Sequence, residues 1–420
     1  MNLAKVLKSC VKNHAFFYVT LDPERALGLE DVMPNYTIIC PFKSQLTDKL
    51  KRLPYNYDRS QMATVAVLEE HLSEGTVKKI GKRGTYGILQ SDFVREYIRR
   101  VCGKDHVGYR KPHIVVLKNS QLIEDFCKKQ NWQLLAPMAK VAEQFENKIS
   151  QYRLLRNTAP YPNSFISTVR GAYSASPPFV LQFNRGHSGN STFFIKTKKG
   201  LSKLRKLYPN RECKISEFIK GKTYTLNCLA LKNGKVLTGS ISEQITGLNT
   251  ATNNPNTTCG NDFHSPKKLP KSAIEKIAKI AQKIGGTLYR NKYRGLFGID
   301  VIIENSTRKV YCIELNTHQP ASISFEAKLH RAIGKVPLMA YFILDSAGTG
   351  IQPKKADMPP TLLPISAKQI MYRNKSKKIL SREYIAKKYK DKGLLTRVKF
   401  VKPNEEIYRT QQLNNRAIEQ

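Results

Sequence analysis

Short apolar runs alternate with amphipathic stretches over the first 135 residues. The segments AFFYVTL, TIICPF and HIVVL have the length and composition of buried strands, and another apolar stretch lies around 62–71. In SQLIEDFCKKQ, which follows HIVVL, Leu122, Ile123 and Phe126 share one helical face behind Ser120 as the N-cap. This alternation of strand and helix predicts a parallel α/β layer.

Two segments that contain paired glycines need a separate interpretation, one within the first 135 residues and one after residue 265. GKRGTYG at 81–87 has no strand leading into it, so we interpret it as a basic turn. PKSAIEKIAKIAQKIGG has apolar residues at helical spacing. Ser272 and Glu275 are expected to form a capping box at its start, and Gly285 with Gly286 is expected to end it.

The pattern changes after residue 135. Residues 136–157 are predicted to be helical, and the prolines of TAPYPNSF stop the helix. Residues 160–250 are rich in strands, and TYTLNCLAL, a KNGK turn and VLTGSISEQITG predict an antiparallel meander. The Asn- and Thr-rich loop at 248–265 is a candidate binding loop or lid.

Composition narrows the class of protein. The chain has 420 residues, of which 40% are apolar, and this suffices for two or three domains. Its eight cysteines are scattered without a CxxC pair, which is typical of reduced thiols in a cytoplasmic protein and does not indicate zinc. No stretch approaches 18 uninterrupted apolar residues, so we expect no membrane span.

The formal net charge of +39 raises the question of a nucleic-acid partner. Because the basic residues occur in every segment and are not clustered with aromatic residues, we favour solvated surfaces over a dedicated nucleic-acid face. The summed field would still attract nucleotides or another anionic partner. The basic C-terminal extension at 346–420 either completes the fold or docks an acidic partner.

FVLQFNRGHSGNST, at 179–192, is a strand that breaks into a polar loop with two glycines and continues in another apolar run. Its backbone N–H groups could line one concavity that binds phosphate oxygens. An ordinary β-hairpin is the alternative.

Candidate metal ligands lie in GLFGIDVIIENSTRKVYCIELNTHQPAS, at 295–322, which we predict to be a hairpin. Asp300 and Glu314 are acids inside apolar strands, and Asn316 shares the face of Glu314. Strand pairing can bring Asp300 beside them, so three oxygen ligands for Mg²⁺ converge. The alternative is a solvated strand face on which Asn316 starts a turn.

The order of these features, with SEFIKGKTYTLNCLAL between the loop and the hairpin, resembles the ATP-grasp superfamily over residues 10–345. The similarity is to carboxylate-amine/thiol ligases such as D-alanine:D-alanine ligase and biotin carboxylase. It implies an α/β plus α+β fold, in which a parallel pre-ATP-grasp domain precedes a two-subdomain ATP-grasp fold. The expected divisions are 1–135, 136–215 for subdomain A with the phosphate loop, 216–345 for subdomain B with the metal site, and 346–420 for the extension.

The resemblance also implies site residues. Asp300, Glu314 and Asn316 match the metal pattern. The nucleotide would be bound by the loop, by a lysine and by the adenine hinge in SEFIKG, and the implied residues are Lys148, Gln182, Gly186, Ser188, Gly189, Ser191, Glu217 and Ile219. Gln182 departs from the family, which usually has a lysine there, so Lys148 or Arg153 would supply the missing charge.

The function that the resemblance implies is an ADP-forming ligase dependent on ATP and Mg²⁺ (or Mn²⁺). It would activate a small-molecule or peptide carboxylate as an acylphosphate for capture by an amine or thiol. Gln244 and His318 are the candidate catalytic residues in a substrate pocket between the N-terminal layer and the metal site. The alternative is a catalytically inactive nucleotide-binding or nucleic-acid-associated protein with the same fold. Biotin-type carboxylation lacks support, since His318 replaces the family's arginine.

Overall fold

The structure is a computed structural model, and it describes residues 7, 13–51, 65–103, 110–185, 191–389, 392–395, 400–414 and 416–417. The first part forms a five-stranded sheet in the order β3-β2-β1-β4-β5, and every pairing in it is parallel. Helices cover both faces, so the strands are buried on both sides. The elements of this part are β1 (His14–Val19), β2 (Tyr36–Cys40), α1 (Gln45–Leu50), β3 (Val65–Val67), α2 (Glu74–Lys82), α3 (Gly84–Gln90), α4 (Asp92–Cys102), β4 (Lys111–Val116), α5 (Gln121–Lys129) and β5 (Gln133–Leu135).

The expectation of a basic turn at 81–87 is wrong. The segment belongs to α2 and α3, which meet at Arg83 and Gly84. Gly84 has φ +65°, the one left-handed position in the segment, while a Cβ on Gly87 would lie 2.4 Å from the Ile80 carbonyl oxygen. The glycines here allow two helices to meet closely.

Residues 136–157 are helical as predicted, but in two pieces. They are α6 (Ala139–Glu146) and α7 (Lys148–Leu155). Asn147 between them has extended backbone angles, φ −70° and ψ 123°. This break aims the first residue of α7, Lys148, at the hairpin described below.

A second sheet is small, antiparallel and ordered β6-β9-β7-β8. One helix of this region, α8, places Leu201 and Leu204 against it, and the sequence pattern did not predict that helix. The elements are β6 (Ser164–Thr168), β7 (Phe179–Phe183), β8 (Thr192–Ile195), α8 (Lys198–Leu207) and β9 (Glu212–Glu217).

The third sheet has nine strands and runs from the predicted carboxylate hairpin to the C-terminal segment, in the order β14-β13-β10-β11-β12-β15-β19-β17 with β20 on β19. Long helix α9 packs on it through Ile277, Ile280, Ala281 and Ile284. Its elements up to residue 347 are β10 (Gly221–Ala230), β11 (Val236–Thr246), β12 (Thr258–Asp262), α9 (Lys271–Arg290), β13 (Gly295–Glu304), β14 (Val310–Asn316), α10 (Ile323–Ala332) and α11 (Leu338–Ala347).

Two expectations about this sheet need correction. The N-cap of α9 is Pro270 without a side-chain cap, and Gly285 and Gly286 lie inside the helix, because Gly285 packs against Val236. The predicted loop at 248–265 contains strand β12, which pairs with both β11 and β15. Its remaining part, before β12, is a sequence of turns.

The C-terminal segment extends the large sheet with β15 (Ala367–Arg373), β17 (Leu394–Leu395), β19 (Glu406–Leu413) and β20 (Arg416–Ala417), and β16 (Leu380–Ser381), α12 (Arg382–Tyr389) and β18 (Phe400–Val401) pack beside it. Arg409 of β19 is fully buried and donates hydrogen bonds to Glu24 and Glu406. Of the two uses considered for this segment, completion of the fold is therefore the one observed.

The predicted fold class, a parallel α/β domain followed by an antiparallel two-part α+β region, is confirmed. No helix within the described ranges is long and apolar enough to cross a membrane. Every cysteine that the structure describes is buried and unpaired.

Candidate functional site

Three oxygen-bearing side chains converge on one face of the β13-β14 hairpin. Asp300 lies directly opposite Glu314, and Asn316 lies opposite Gly298. The Asn316 Nδ2 atom is 3.4 Å from the Asp300 Oδ2 atom. The predicted approach of these three residues is thus present in the structure, since the short hairpin brings the two strands into register.

A row of hydrogen bonds extends from Asp300 across three neighbouring strands. Thr225 of β10 donates from Oγ1 to Asp300 Oδ1 at 2.7 Å, and Gln244 of β11 donates from Nε2 to the same hydroxyl at 2.8 Å. Thr258 of β12 donates to Gln244 Oε1 at 3.2 Å. Gln244 therefore reaches the acid site through Thr225, which orients the Asp300 carboxylate.

The negative charge of Asp300 is unfavourable in the absence of a bound cation. Burial, and next the negative charge of Glu314, raise the pKa of Asp300 to about 6. The hydrogen bond from Thr225 opposes this shift only in part. A cation bound between Asp300 and Glu314 would relieve this repulsion.

Lys148 supplies one positive charge. It is the first residue of α7, is 6% exposed, and donates a hydrogen bond from Nζ to Glu314 Oε1. Its backbone N–H is held by the Asn184 carbonyl at 2.9 Å, just after β7. The lysine that the sequence placed at the nucleotide site therefore contacts a predicted metal ligand.

A second lysine, Lys214 of β9, was not predicted. It is 2% exposed and lies directly across from Gln182 in the register of β7 and β9. Burial, and next the positive charge of Lys148, lower the pKa of Lys214 to about 8. The available signal was a lysine flanked by Cys213 and Ile215, as Glu314 is flanked by Ile313 and Leu315.

Arg153, the other residue expected to replace the missing charge at Gln182, does not do so. It is an exposed side chain whose guanidinium lies 2.8 Å from Glu212. Its position on the outer side of α7 directs it away from Lys148 and Glu314.

The donor set suits Mg²⁺. Two carboxylates and one amide oxygen are hard ligands of the type that this ion prefers, with remaining positions open to phosphate and water. Within the described ranges, no group of three or more His, Cys, Asp and Glu side chains is placed to hold a metal. The predicted site has only two such acids, because its third ligand is an asparagine. The ion pair with Lys148 shows that the Glu314 carboxylate is placed to contact a positive charge.

Of the predicted phosphate loop, Gly186, Ser188 and Gly189 lie outside the described residues. The flanking strands β7 and β8 pair antiparallel, so the loop connects a hairpin. Ser191 is buried, its carbonyl accepts a hydrogen bond from the Phe183 N–H at 3.0 Å, and Gln182 Nε2 donates to Thr192 Oγ1 at 3.2 Å. Phosphate binding by this loop stays a prediction.

The predicted adenine hinge connects the two antiparallel sheets. Glu217 ends β9 with an exposed side chain, and Ile219 is buried between β9 and β10. The Glu217 N–H donates to the Asn163 carbonyl at 2.8 Å. The segment is thus a link between the two sheets, and its binding of adenine stays a prediction.

His318 faces a different space, a cleft of about 510 Å³ between the parallel domain and the hairpin. The cleft includes Asn147 and Thr317, the sequence neighbours of Lys148 and Asn316. His318 Nδ1 lies 3.1 Å from Glu146 Oε2, and the His318 hydrogen bond, together with Lys118 and Thr317, holds the pKa of Glu146 well below its usual range against burial. The two residues predicted to line one pocket therefore lie in different places, His318 in the cleft and Gln244 near Asp300.

The ATP-grasp domain family model matches residues 145–321, which include β6 to β14 and the acid hairpin. Among curated proteins, none matches the chain in sequence. Among solved structures, N5-carboxyaminoimidazole synthetase from Staphylococcus aureus with ADP is 12% identical, with a TM-score of 0.60 and coverage of 96% of this chain and 93% of that one.

Two further structures have the same architecture. N5-carboxyaminoimidazole synthase from Aspergillus clavatus, with ADP and 5-aminoimidazole ribonucleotide, is 9% identical with a TM-score of 0.61, over 96% of this chain and 95% of that one. The biotin carboxylase domain of the Hydrogenobacter thermophilus 2-oxoglutarate carboxylase, with MgADP and bicarbonate, is 11% identical with a TM-score of 0.59, over 94% and 85%.

Fold and site together define an ATP-grasp architecture. Residues 145–321 match the ATP-grasp domain family, and the fold of the chain is that of the solved structures named above. The match over residues 145–321 agrees with the resemblance that the sequence predicted there. At these identities the solved structures share the fold, and their substrates are not thereby those of this chain.

Proposed function

We propose that the protein is an ADP-forming ligase that uses ATP and Mg²⁺ to activate a carboxylate as an acylphosphate for capture by an amine or thiol. The observation that carries the proposal is the convergence of Asp300, Glu314 and Asn316, with Lys148 on Glu314, inside a matched ATP-grasp domain. A protein that only binds nucleic acid through its basic surface has no use for this arrangement of oxygen ligands.

The roles of the residues follow from their contacts. When bound at the three oxygens, Mg²⁺ would neutralise charge on the nucleotide phosphates. Thr225 and Gln244 fix the orientation of Asp300 by hydrogen bonds, and Lys148 is placed to exchange its contact with Glu314 for one with phosphate. The loop between β7 and β8 would cover the phosphates and exclude water.

The 510 Å³ cleft is the proposed substrate site. It combines the end of β4, where Asn119 and Ser120 precede α5, with His318 on the chain that leaves the metal site. His318 is held by Glu146, so we propose it as a polar group that positions the acceptor. A polar small molecule or a peptide end fits these hydrogen-bonding groups.

The test is ADP release from Mg²⁺-ATP by purified protein against pools of amino acids, short peptides and small carboxylic acids. Glu314→Gln is the variant that removes a proposed metal ligand. Glu304→Gln is the matched control, because Glu304 lies on the same hairpin, at its far end opposite Gly221. We expect one pool to stimulate release, the Glu314 variant to lose at least about hundredfold in rate, and the control to keep it.

If no pool stimulates release, calorimetric titration with Mg²⁺-ATP and with Mg²⁺-ADP distinguishes two cases. Binding that requires Mg²⁺ and disappears in Glu314→Gln, without turnover, would support the alternative of an inactive nucleotide-binding protein. Absence of any nucleotide binding would contradict the proposed site itself.

A further inference from the structure

Lys214 has an unusual environment for a lysine. Its side chain is 2% exposed, and among the described residues its ammonium group has no ion-pair or hydrogen-bond partner. The groups around it are the rings of Tyr161 and Tyr152, with centroids 5.5 and 6.0 Å from Nζ. Aromatic faces attract a cation, but they do not replace the hydrogen bonds that an ammonium group loses on leaving water. The fold therefore buries an ammonium group that, in the described part of the chain, has negative charge nearby but no direct ion pair or hydrogen bond.

The position of Lys214 places it beside the proposed nucleotide site. Lys214 faces the same side of its sheet as Gln182, its partner across β7 and β9. Lys214 Nζ lies 5.5 Å from the Tyr161 ring, and the carbonyl of the preceding Pro160 accepts a hydrogen bond from the Cys312 N–H of β14 at 2.7 Å. Lys214 therefore lies next to the hairpin that carries Glu314.

Once a divalent cation is bound, the charges of the site are balanced only when an anion is present as well. Asp300 and Glu314 carry two negative charges, and the ammonium groups of Lys148 and Lys214 offset them. A divalent cation at Asp300, Glu314 and Asn316 adds two further positive charges, which a nucleotide di- or triphosphate would neutralise. Gln182 carries no charge, so it offers the phosphates a hydrogen bond from β7 but no charge–charge attraction.

We propose that Lys214 is a phosphate-binding residue of the nucleotide site and that it provides from β9 the positive charge that β7 lacks at Gln182. The inference rests on the proposed function, since it assigns a residue to the same nucleotide site. Lys214 donates hydrogen bonds to phosphate oxygens when nucleotide binds, and Gln182 keeps its hydrogen bond to Thr192.

The test compares the Kd for Mg²⁺-ADP, by calorimetry, of the full-length protein with that of Lys214→Met. Methionine has similar length and no charge, so it preserves packing against Tyr161. The matched control is Lys222→Met, because Lys222 is an exposed lysine on neighbouring β10, paired with Glu243 at 2.9 Å. We expect Kd to rise at least about tenfold in Lys214→Met and to stay within about twofold in the control.

A relocation experiment separates phosphate binding from a structural role. Gln182→Lys combined with Lys214→Gln moves the positive charge from β9 to the facing position on β7. We expect the double variant to recover Mg²⁺-ADP affinity to within about threefold of the original protein, whereas Lys214→Gln alone stays weak. A merely structural lysine would not be rescued in this way.

Thermal unfolding without nucleotide provides a second readout. Because Lys214→Met removes a buried charge without a partner, its Tm should equal or exceed that of the original protein, while stabilisation by Mg²⁺-ADP should shrink. Unchanged affinity in Lys214→Met, or a lowered Tm with no rescue in the double variant, would overturn the role of Lys214 alone. Failure of the original protein to bind Mg²⁺-ADP would overturn the proposed function as well.

Discussion

At the scale of single residues, the chain keeps several charged groups where burial penalises them. Asp300 faces Glu314, Lys214 lies against tyrosine rings, and Glu326 is fully buried on α10. Such groups reduce the free energy of unfolding unless hydrogen bonds or opposite charges compensate their burial, so groups that lack this compensation are expected to serve another purpose. Those near the β13-β14 hairpin have that purpose in the proposed ligand site, whereas Glu326 is held by hydrogen bonds inside the protein.

Asp300→Asn should stabilise the protein without ligands and weaken its binding of Mg²⁺-nucleotide. The substitution removes repulsion with Glu314 and retains an oxygen that accepts from Thr225. We expect a gain of about 1–2 kcal/mol in the free energy of unfolding without Mg²⁺. Urea unfolding and calorimetry measure the two effects. A loss of stability together with unchanged nucleotide affinity would contradict the assignment of Asp300.

Glu326 should make stability depend on pH. Burial raises the pKa of this carboxyl to about 7, although Asn227 and the Ser240 N–H donate to it. Because the folded-state pKa is above the unfolded value of 4.5, its contribution is fully present below pH 4.5 and is lost as pH rises through 7.

Glu326→Gln should remove this dependence. Relative to the original protein, its free energy of unfolding should rise by about 3 kcal/mol between pH 4.5 and 7.5. Urea unfolding at several pH values measures the difference, and Glu275→Gln, at an exposed position of α9, is the control. Parallel pH profiles for the Glu326 variant and the original protein would show that the carboxyl is ionised in the fold.

At the scale of elements, helix α9 shows how contact overrides local preference. The sequence predicted that its two adjacent glycines end the helix, yet both lie within it. A Cβ on Gly285 would lie 2.6 Å from a methyl carbon of Val236, whereas a Cβ on Gly286 would meet only the end of Arg290 at 3.6 Å. The first glycine is required by close packing between helix and sheet, and the second is not.

Alanine at the two positions should therefore have opposite effects. Gly286→Ala should raise the free energy of unfolding by about 0.5–1 kcal/mol, because alanine favours the helix. Gly285→Ala should lower it by about 1–3 kcal/mol through overpacking against Val236. Urea unfolding of the two variants measures these changes in the free energy of unfolding. Equal stabilisation by both would show that the sheet moves enough to accommodate the added methyl group.

At the scale of the whole molecule, one buried ionic cluster connects the ends of the chain. Arg409 of β19 donates to Glu24, which lies just after β1, and its guanidinium is 3.4 Å from Asp22. Burial raises the pKa of Glu24, while the positive charge of Arg409 opposes that rise. The parallel domain and the C-terminal strands are thus electrostatically dependent on each other.

Arg409→Met should lower the free energy of unfolding by about 3–5 kcal/mol, because it leaves Glu24 buried without its positive partner. The control is Arg331→Met, which breaks the partly exposed pair with Asp31 and should cost about 1 kcal/mol or less. Thermal and urea unfolding measure both. Near-equal losses in the two variants would show that the Arg409 cluster adds nothing beyond an ordinary surface pair.

The sequence predicted a large part of the fold and one part of the site. Strand and helix periodicity indicated the parallel domain and the antiparallel region, and alternation within one hairpin indicated that Asp300, Glu314 and Asn316 share a face. These features depend on residues close in the chain. The predictions failed at 81–87, at 248–265 and at the glycines of α9, where tertiary packing outweighs turn and cap propensities.

By itself, the sequence determined that a parallel α/β domain precedes an antiparallel region, because short apolar runs alternate with helical stretches only in the first part. It also determined the acid pair, because strand periodicity and one short turn place Asp300 beside Glu314. Only the tertiary structure decided that Lys214 faces Gln182, since this depends on the order β6-β9-β7-β8. It also decided the contact of Arg409 with Glu24, 385 residues apart. Local spacing carries no information on such pairs, because strand order and domain packing are set by burial summed over the whole chain.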